Sequence, residues 1–242
     1  MAQILYSQIV RKVVAVSSAK VAEMVKLLEN TFRAVNIGMI NELCLMCDRL
    51  NIDVWEVIEA ARTKPFGFMP FYPGPGIGGE CIPADPVYLS WKARLSGFEA
   101  RLIDLAAQIN SYMPQYVVEK IGRMLNFASK PVKGSQILVL GVAYKADVSD
   151  TRDSPGLAVI KLLKEQGAIV KYHDPFVPRV RIDDAQFSSE ALTDKTIAIQ
   201  DCVCIVTNHS ALNYAKILKN AKLIFDTRNA YKGKPNQKVI KL

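Results

Sequence analysis

Apolar positions between residues 18 and 62 recur at spacings of three and four, the period of a helix with one buried face. Ser17 or Ser18 can cap the start of this helix, because a serine hydroxyl accepts hydrogen bonds from the free amides of the first turn. Residues 51–53 interrupt the period. They predict a short break before a second helix that begins near Val54.

Proline and glycine dominate residues 64–86, which hold six of the twelve prolines and five of the thirteen glycines. Both residue types interrupt helices and strands, so this segment is predicted to be a shaped loop. Helical spacing resumes from about Pro86 and continues to about Phe127, with one interruption near Ser96 and Gly97. This part of the pattern predicts a long helix that could connect one domain with the next.

After residue 134 the pattern changes to short apolar strands that alternate with helices. Strands are predicted at 137–141, 169–173, 202–207 and 223–226, and helices at 154–166 and 211–219. Strands in alternation with helices imply right-handed crossovers and a parallel sheet that is covered on both faces. The chain is therefore predicted to contain an α-helical central domain (17–128) and an α/β Rossmann-like C-terminal domain (129–242), with residues 1–16 as the end of a preceding part.

Half of the 242 residues are hydrophobic and 22% are charged, which is the balance of a chain that buries a core. The apolar runs are far shorter than the ~20 residues of a membrane helix, and the first residues lack the features of a signal peptide. We therefore expect a cytoplasmic protein that does not enter a membrane. The net charge of +8 is spread without a basic run, so it does not indicate nucleic acid and suits a phosphorylated small molecule equally well.

The five cysteines form no disulfide-scaffold pattern and are interpreted as reduced thiols. Cys44 and Cys47 form a C-x-x-C, but no second pair and no nearby histidine complete a zinc site. We interpret both as helix core and predict no metal.

The segment Pro73–Pro86, with the sequence PGPGIGGECIPADP, carries the strongest chemical signal. Its glycines formally match G-x-G-x-x-G, but the dinucleotide fingerprint requires a preceding strand, and prolines occupy this run. Glycines here allow backbone amides and Cys81 to approach a bound molecule, while prolines keep the loop rigid. Two interpretations remain open from the residues alone: a nucleophilic thiolate, or a loop that turns tightly around a buried cysteine.

Four motifs occur in order along nearly the whole chain, and together they resemble the UDP-glucose/GDP-mannose dehydrogenase family. They are Glu23-x-x-Lys26-x-x-x-Asn30, Asn41-Glu42-Leu43, Gly78-Gly79-x-Cys81-Ile82-Pro83-x-Asp85-Pro86 and Lys145-x-x-x-x-Asp150-x-Arg152-x-Ser154-Pro155. Residues 64–76 are most similar to the branch that acts on UDP-N-acetylglucosamine or a related N-acetylhexosamine.

The resemblance implies oxidation of a sugar C6 alcohol to a carboxylate with two NAD per turnover. Cys81 matches the nucleophile that attacks the intermediate aldehyde to give a thiohemiacetal, which becomes a thioester and is hydrolysed. Lys26 and Asn30, one helical turn apart, match the pair that polarises the C6 oxygen and holds the water. Asp85 matches the carboxylate that orients this water. Without the resemblance, an exposed Lys26 and Asn30 and a helix-capping Asp85 are the simpler interpretation.

The resemblance also implies a UDP-sugar site formed by Phe71, Tyr72, Gly78, Tyr144, Lys145 and Arg228. A cation can satisfy anionic oxygens and an aromatic face can stack on a base, so these residue types suit the ligand. Arg152 matches a residue that reaches the NAD phosphates. An arginine paired with Asp150 or Asp153 is the structural alternative.

Two features depart from the family pattern. Glu80 lies where a neutral residue is usual, and a carboxylate beside Cys81 disfavours the thiolate. No strand, G-x-G-x-x-G and helix precede Val16, so the family's NAD-binding domain, with its catalytic glutamate and threonine, has no counterpart in this sequence. We therefore expect the chain to be inactive alone, and to act as a homodimer with a UDP-sugar and a separately encoded NAD-binding domain. The alternative is a non-catalytic UDP-sugar-binding or dimerisation module.

Overall fold

A computed structural model describes residues 2–232 and 236–242. The first half is helical and consists of α1 (Ala2–Ser7), α2 (Ala19–Leu50), α3 (Val54–Ala61), α4 (Cys81–Arg94) and α5 (Arg101–Phe127). The side chain of Ser18 caps α2 by accepting a hydrogen bond from the Val21 amide, and Asn51 ends the helix with a left-handed φ of 56°. The predicted cap and the predicted break before α3 are therefore both confirmed.

The loop predicted over residues 64–86 ends earlier than expected, because α4 begins at Cys81. The prediction was wrong at this point because it took Pro83 and Pro86 as part of the loop. The first amides of a helix have no intrahelical partner, so the ring of Pro83 removes no helical hydrogen bond, and Pro86 is accommodated inside the helix. The interruption predicted near Ser96 and Gly97 separates α4 from α5, and Gly97 adopts a left-handed φ of 78° there.

The second half contains β1 (Gln136–Leu140), α6 (Pro155–Glu165), β2 (Ile169–His173), β3 (Arg179–Ile182), β4 (Ala185–Ser188), α7 (Asp194–Ala198), β5 (Cys202–Ile205), α8 (Tyr214–Asn220), β6 (Ile224–Asp226) and β7 (Val239–Lys241). Five strands form a parallel sheet in the order β2-β1-β5-β6-β7. This confirms the predicted fold class. The antiparallel hairpin β3–β4 and the edge strand β7 were not predicted, because all three strands are only three or four residues long and β3 and β4 carry charged or polar residues at alternate positions.

One hydrophobic cluster joins the helical half to the sheet half. Met113 and Val117 of α5 belong to the same buried cluster as Ile160 of α6. Cys44 and Cys47 are free thiols in this cluster, as interpreted from the sequence, and burial raises the pKa of Cys44 to about 12. Because α5 contributes to both halves, the helices and the sheet share one core.

The surface of α2 retains a series of large exposed apolar side chains. These are Val21, Met24, Val25, Leu28, Phe32, Met39, Met46 and Leu50. Exposed apolar area of this kind is typical of a surface that contacts another protein. In the described part of the chain, no helix combines the length and the apolar character needed to cross a membrane.

The glycine that follows β1 is a point where the fold depends on the absence of a side chain. Gly141 adopts a φ of 83°, and a Cβ there would overlap the carbonyl oxygen of Thr207. Gly141→Ala is therefore expected to lower the free energy of unfolding by about 3 kcal/mol or more, because steric overlap with a backbone atom adds to a left-handed strain of about 1–2 kcal/mol. Urea denaturation measures the loss.

The matched control is Gly134→Ala, since Gly134 has a similar φ of 80° and open space around its Cα. Only the backbone strain of about 1–2 kcal/mol applies at this position. Equal losses of stability in the two variants would contradict the steric account of Gly141.

Candidate active site

The thiol of Cys81 is accessible and lies at the first position of α4. Cys81 is the exposed cysteine of the chain, whereas the other four free cysteines are buried. A loop that encloses a buried cysteine, the alternative left open by the residues alone, is therefore wrong. Exposure at the amino terminus of a helix is a common setting for a nucleophilic cysteine.

Two helices bring polar side chains together near this thiol. The Asn30 amide nitrogen of α2 donates a 2.5 Å hydrogen bond to Oδ2 of Asp85 on α4, and Asn30 is buried. Asp85 follows Cys81 by four residues on α4, and Asn30 follows Lys26 by four residues on α2, so each pair shares one helix face. Lys26 is exposed. The hydrogen bond thus joins the two predicted pairs at the contact between α2 and α4.

The glycines before Cys81 allow the backbone to lie directly on the connection between β1 and α6. The Gly79 amide donates a 2.9 Å hydrogen bond to the carbonyl oxygen of Arg152. A Cβ at Gly78 would lie 2.8 Å from the carbonyl oxygen of Asp153, and a Cβ at Gly79 would lie 2.9 Å from the ring of Tyr144. Gly78 and Tyr144, both predicted to contact substrate, therefore lie against each other. This contact fixes the loop before Cys81 (residues 64–80, called the nucleophile loop below) to the C-terminal half.

Buried amides hold the other end of this loop. The Gly74 amide donates to Oδ1 of Asn41 at 3.0 Å, and the Asn41 amide donates to Oδ1 of Asn110 at 2.9 Å. The Asn110 amide in turn donates to the Ala34 carbonyl at 3.0 Å. A buried polar chain with its partners in place rigidifies its surroundings. Asn110 was missed from the sequence, although an asparagine among the apolar positions of α5 is the signal that could have indicated it.

Arg228 approaches the same loop from the sheet. Its Nε donates a 2.8 Å hydrogen bond to the Val206 carbonyl, and a Cβ at Gly74 would lie 2.7 Å from its Nη1. Burial lowers the pKa of Arg228 to about 10. The residues that follow β5 and β6 line one side of a cavity of about 980 Å³, with Arg228 among them. The carboxyl ends of parallel strands are the usual ligand-binding edge of such a sheet.

The two aromatic residues predicted to contact the nucleotide point to different neighbours. Tyr72 lines the cavity, stacks on Trp55 with ring centroids 6.1 Å apart and donates a 2.9 Å hydrogen bond to Glu59. Phe71 instead contacts Phe32 of α2 edge to face at 5.7 Å. The structure therefore does not bring the two rings to one cavity.

Arg152 is engaged by carboxylates. Its guanidinium forms ion pairs with Asp150 and with Glu80, and these contacts raise the pKa of Arg152. The sequence left open the alternative that Arg152 pairs with Asp150 or Asp153, and the ion pair with Asp150 is present in the structure. The pair with Glu80 also partly neutralises the carboxylate beside Cys81.

The described residues do not fit a dinucleotide. Nε, Nη1 and Nη2 of Arg152 each already donate to a carboxylate, and residues 141–154, which connect β1 to α6, contain Gly141 as their single glycine. A glycine-rich turn is what allows a pyrophosphate to approach the backbone in this type of fold. In residues 2–232 and 236–242, no three His, Cys, Asp or Glu side chains are placed to hold a metal ion.

The family assignment follows from two domain matches. Residues 20–112 match the central domain of the UDP-glucose/GDP-mannose dehydrogenase family, and residues 138–233 match its UDP binding domain. The chain belongs to this family, as the ordered motifs predicted. It carries the central and UDP-binding domains in the arrangement described above.

Individual relatives agree with this assignment. The chain is 35% identical to a UDP-N-acetyl-D-mannosamine dehydrogenase of Methanococcus maripaludis, over 95% of this chain and 52% of that protein. It is 32% identical to an NDP-N-acetyl-D-galactosaminuronic acid dehydrogenase of Ralstonia solanacearum, over 96% of this chain and 53% of that protein. The structure of the UDP-D-ManNAc dehydrogenase of Pyrococcus horikoshii matches with a TM-score of 0.86 and 33% identity, over 99% of this chain and 56% of that one. The chain spans about half the length of the relatives it matches.

Alkylation tests whether the charge of Glu80 lowers the reactivity of the exposed Cys81 thiol. In the native protein iodoacetamide should modify Cys81 selectively, because the other four cysteines are buried. Glu80→Gln removes a negative charge next to the thiol and leaves Arg152 with one carboxylate fewer. We expect the alkylation rate constant at neutral pH to rise about two- to fivefold, the effect of one nearby charge in water. Mass spectrometry of tryptic peptides over time measures it.

Glu165→Gln is the matched control, since Glu165 is an exposed carboxylate at the far end of α6. It should leave the rate unchanged. A rate that does not respond to Glu80→Gln would show that Glu80 has no influence on the thiolate.

Proposed function

We propose that this chain supplies the nucleophile and the nucleotide-sugar site of a UDP-N-acetylhexosamine 6-dehydrogenase. The observation that carries the proposal is the hydrogen bond between Asn30 of α2 and Asp85 of α4, because α4 is the helix that begins with the exposed Cys81. This arrangement combines an accessible nucleophile, an amide donor and a carboxylate at one helix contact. Such a combination suits covalent chemistry at a carbonyl carbon.

In this proposal the Cys81 thiolate attacks the C6 aldehyde and forms a carbon–sulfur bond. The carbonyl oxygen gains negative charge, which the ammonium of Lys26 and a free N–H of Asn30 stabilise. NAD, when bound, accepts the hydride that leaves C6, and the thiohemiacetal thereby becomes a thioester. Asp85 holds the water whose oxygen attacks the thioester. The carbon–sulfur bond breaks, the carboxylate and the Cys81 thiolate are released, and the two protons of the water pass to solvent.

In this proposal Cys81, Lys26, Asn30 and Asp85 carry the chemistry at the sugar, and the hydride acceptor is held elsewhere. Arg152 is engaged by Asp150 and Glu80 and does not fit a phosphate as it lies. We therefore assign NAD binding chiefly to a domain outside these residues. For bound NAD to contact this chain, Arg152 would have to exchange a carboxylate partner for a phosphate of NAD. A guanidinium binds both groups in the same fork geometry.

The nucleotide part of the substrate is proposed to lie along the carboxyl edge of the sheet. Arg228 presents a cation without a carboxylate partner among the described residues, and Lys145 is exposed after β1. Both can bind diphosphate oxygens. Tyr72 offers an aromatic face at the same cavity, and the relatives named above act on N-acetylated sugar nucleotides by their names.

The exposed apolar side chains of α2 support a homodimer in which these faces cover each other. A second candidate function, a non-catalytic binding or assembly module of the same family, is favoured by the engagement of Arg152 and by the misfit to a dinucleotide. The two candidates share the UDP-sugar site and differ in turnover. A UDP-sugar dehydrogenase activity, followed as NADH formation, that appears only when a family NAD-binding domain is added would favour the enzyme.

Calorimetric titration of the purified chain tests the nucleotide-sugar site. UDP-N-acetyl-D-mannosamine and UDP-N-acetylglucosamine should bind more tightly than UDP-glucose. Lys145→Ala is expected to raise the dissociation constant about tenfold, because a charge-assisted hydrogen bond contributes about 1.5–3 kcal/mol. The measurement reports binding and does not require NAD.

Lys161→Ala is the matched control. Lys161 is also exposed, but it lies on α6 and forms its ion pair with Asp183. It should leave the dissociation constant unchanged. Equal affinity in the wild type and in Lys145→Ala, or no heat at millimolar ligand, would contradict the proposed site, and the second outcome would favour an assembly module.

A further inference from the structure

A buried histidine–aspartate pair lies at the wall of the cavity that Arg228 lines, and it belongs to none of the family motifs found in the sequence. His209 follows β5 and is 0% exposed, and Asp174 follows β2 and is 3% exposed. The two side chains are joined by a 3.0 Å hydrogen bond between Nε2 of His209 and Oδ2 of Asp174. A buried ionisable pair of this kind requires partners for every polar atom.

The neighbouring backbone fixes the tautomer of the histidine. The Asp147 amide donates a 3.0 Å hydrogen bond to Nδ1 of His209, so this nitrogen has a lone pair and the ring proton lies on Nε2. The ring is therefore neutral and donates to Asp174. Burial opposes ionisation of Asp174, but the hydrogen bonds from His209 and from backbone amides outweigh it and lower the pKa of that carboxyl.

Together the two side chains hold both sides of the segment that carries Lys145. Oδ2 of Asp174 accepts hydrogen bonds from the amides of Val142 at 2.7 Å and Ala143 at 3.0 Å. On the other side of Lys145, the Asp147 amide is bound by His209.

The conformation of Asp147 is one that requires such support. Asp147 adopts a left-handed φ of 62°. Its side chain accepts a 2.8 Å hydrogen bond from the Ser210 amide, which follows His209 directly. A left-handed non-glycine residue costs about 1–2 kcal/mol and persists where its surroundings determine it.

We infer that His209, oriented by Asp174, is a positioning residue for the UDP-sugar site: it fixes the backbone on which Lys145 is presented. The inference rests on the proposed function, because it assigns a role in the binding of the nucleotide sugar. Lys145 is exposed and forms part of the same turn as Tyr144, whose ring packs on Gly79. The buried pair thus stabilises a segment that reaches from the diphosphate-binding cation to the nucleophile loop.

Two amide replacements at position 209 separate positioning from simple packing. In His209→Asn the side-chain oxygen occupies the place of Nδ1 and still accepts from the Asp147 amide. In His209→Gln the side-chain nitrogen occupies the place of Nε2 and still donates to Asp174, but the Asp147 amide loses its acceptor. Both variants remove the ring and should lose similar stability in urea denaturation.

The two variants should differ in how firmly they hold the backbone segment that carries Lys145 and Asp147. His209→Gln is expected to accelerate hydrogen exchange of the Asp147 amide about tenfold or more and to raise the dissociation constant for the UDP-sugar about five- to tenfold. His209→Asn should remain within about twofold of the wild type in both measurements. Amide-exchange NMR and calorimetry on the full chain provide the two readouts.

The outcomes distinguish this inference from the proposed function. One outcome is that the wild type binds and Lys145→Ala weakens binding. If, in addition, both His209 variants bind like the wild type or weaken binding equally, the inference is overturned and the proposed function stands. If the wild type gives no heat, the proposed function fails, and equal Asp147 exchange in all three proteins would overturn the positioning role as well. A nitrogen NMR spectrum of the wild type that places the ring proton on Nδ1 would overturn it without any variant.

Discussion

The close contact between the nucleophile loop and the β1–α6 connection is the constraint on which the candidate site depends. Gly78 and Gly79 lie so near Tyr144 and Asp153 that side chains at the glycine positions would overlap them. One backbone hydrogen bond, from Gly79 to Arg152, accompanies this packing. As a result, the thiol, which belongs to the helical half, is positioned by the sheet half. Because both halves contribute residues to the site, neither half would form it alone.

The same contact determines the charge around the thiol. Arg152 provides a carbonyl oxygen for Gly79 and a guanidinium for Glu80, so one residue fixes the loop and compensates the carboxylate next to Cys81. A carboxylate at position 80 looks unfavourable in the sequence, because the sequence does not show its partner. In the structure its charge is shared with Arg152 at an exposed position, where water also screens it.

The sequence predicted features that depend on local periodicity and on motifs, and missed features that depend on distant partners. The cap at Ser18 and the break at residues 51–53 involve neighbouring residues, so they could be predicted. The start of α4 at Cys81 could not, because proline is compatible with the first turn of a helix as well as with a loop. Asn110 and His209 act through residues far along the chain, and nothing near them in sequence indicates their partners. The roles proposed for the site residues themselves remain predictions.

The position of α2 connects assembly with chemistry. One face of this helix buries Asn30 and Asn41 against the core, while Leu28 and Phe32 on the other side remain exposed. Lys26 lies one turn before Asn30 and is exposed. Val25, one of the exposed apolar residues of this helix, directly precedes Lys26, so a protein surface that covers Val25 would also exclude water near Lys26. A cation in a less polar environment stabilises a developing oxyanion more strongly. The chemistry proposed for this chain would therefore depend on its assembly even where the partner contributes no side chain to the reaction.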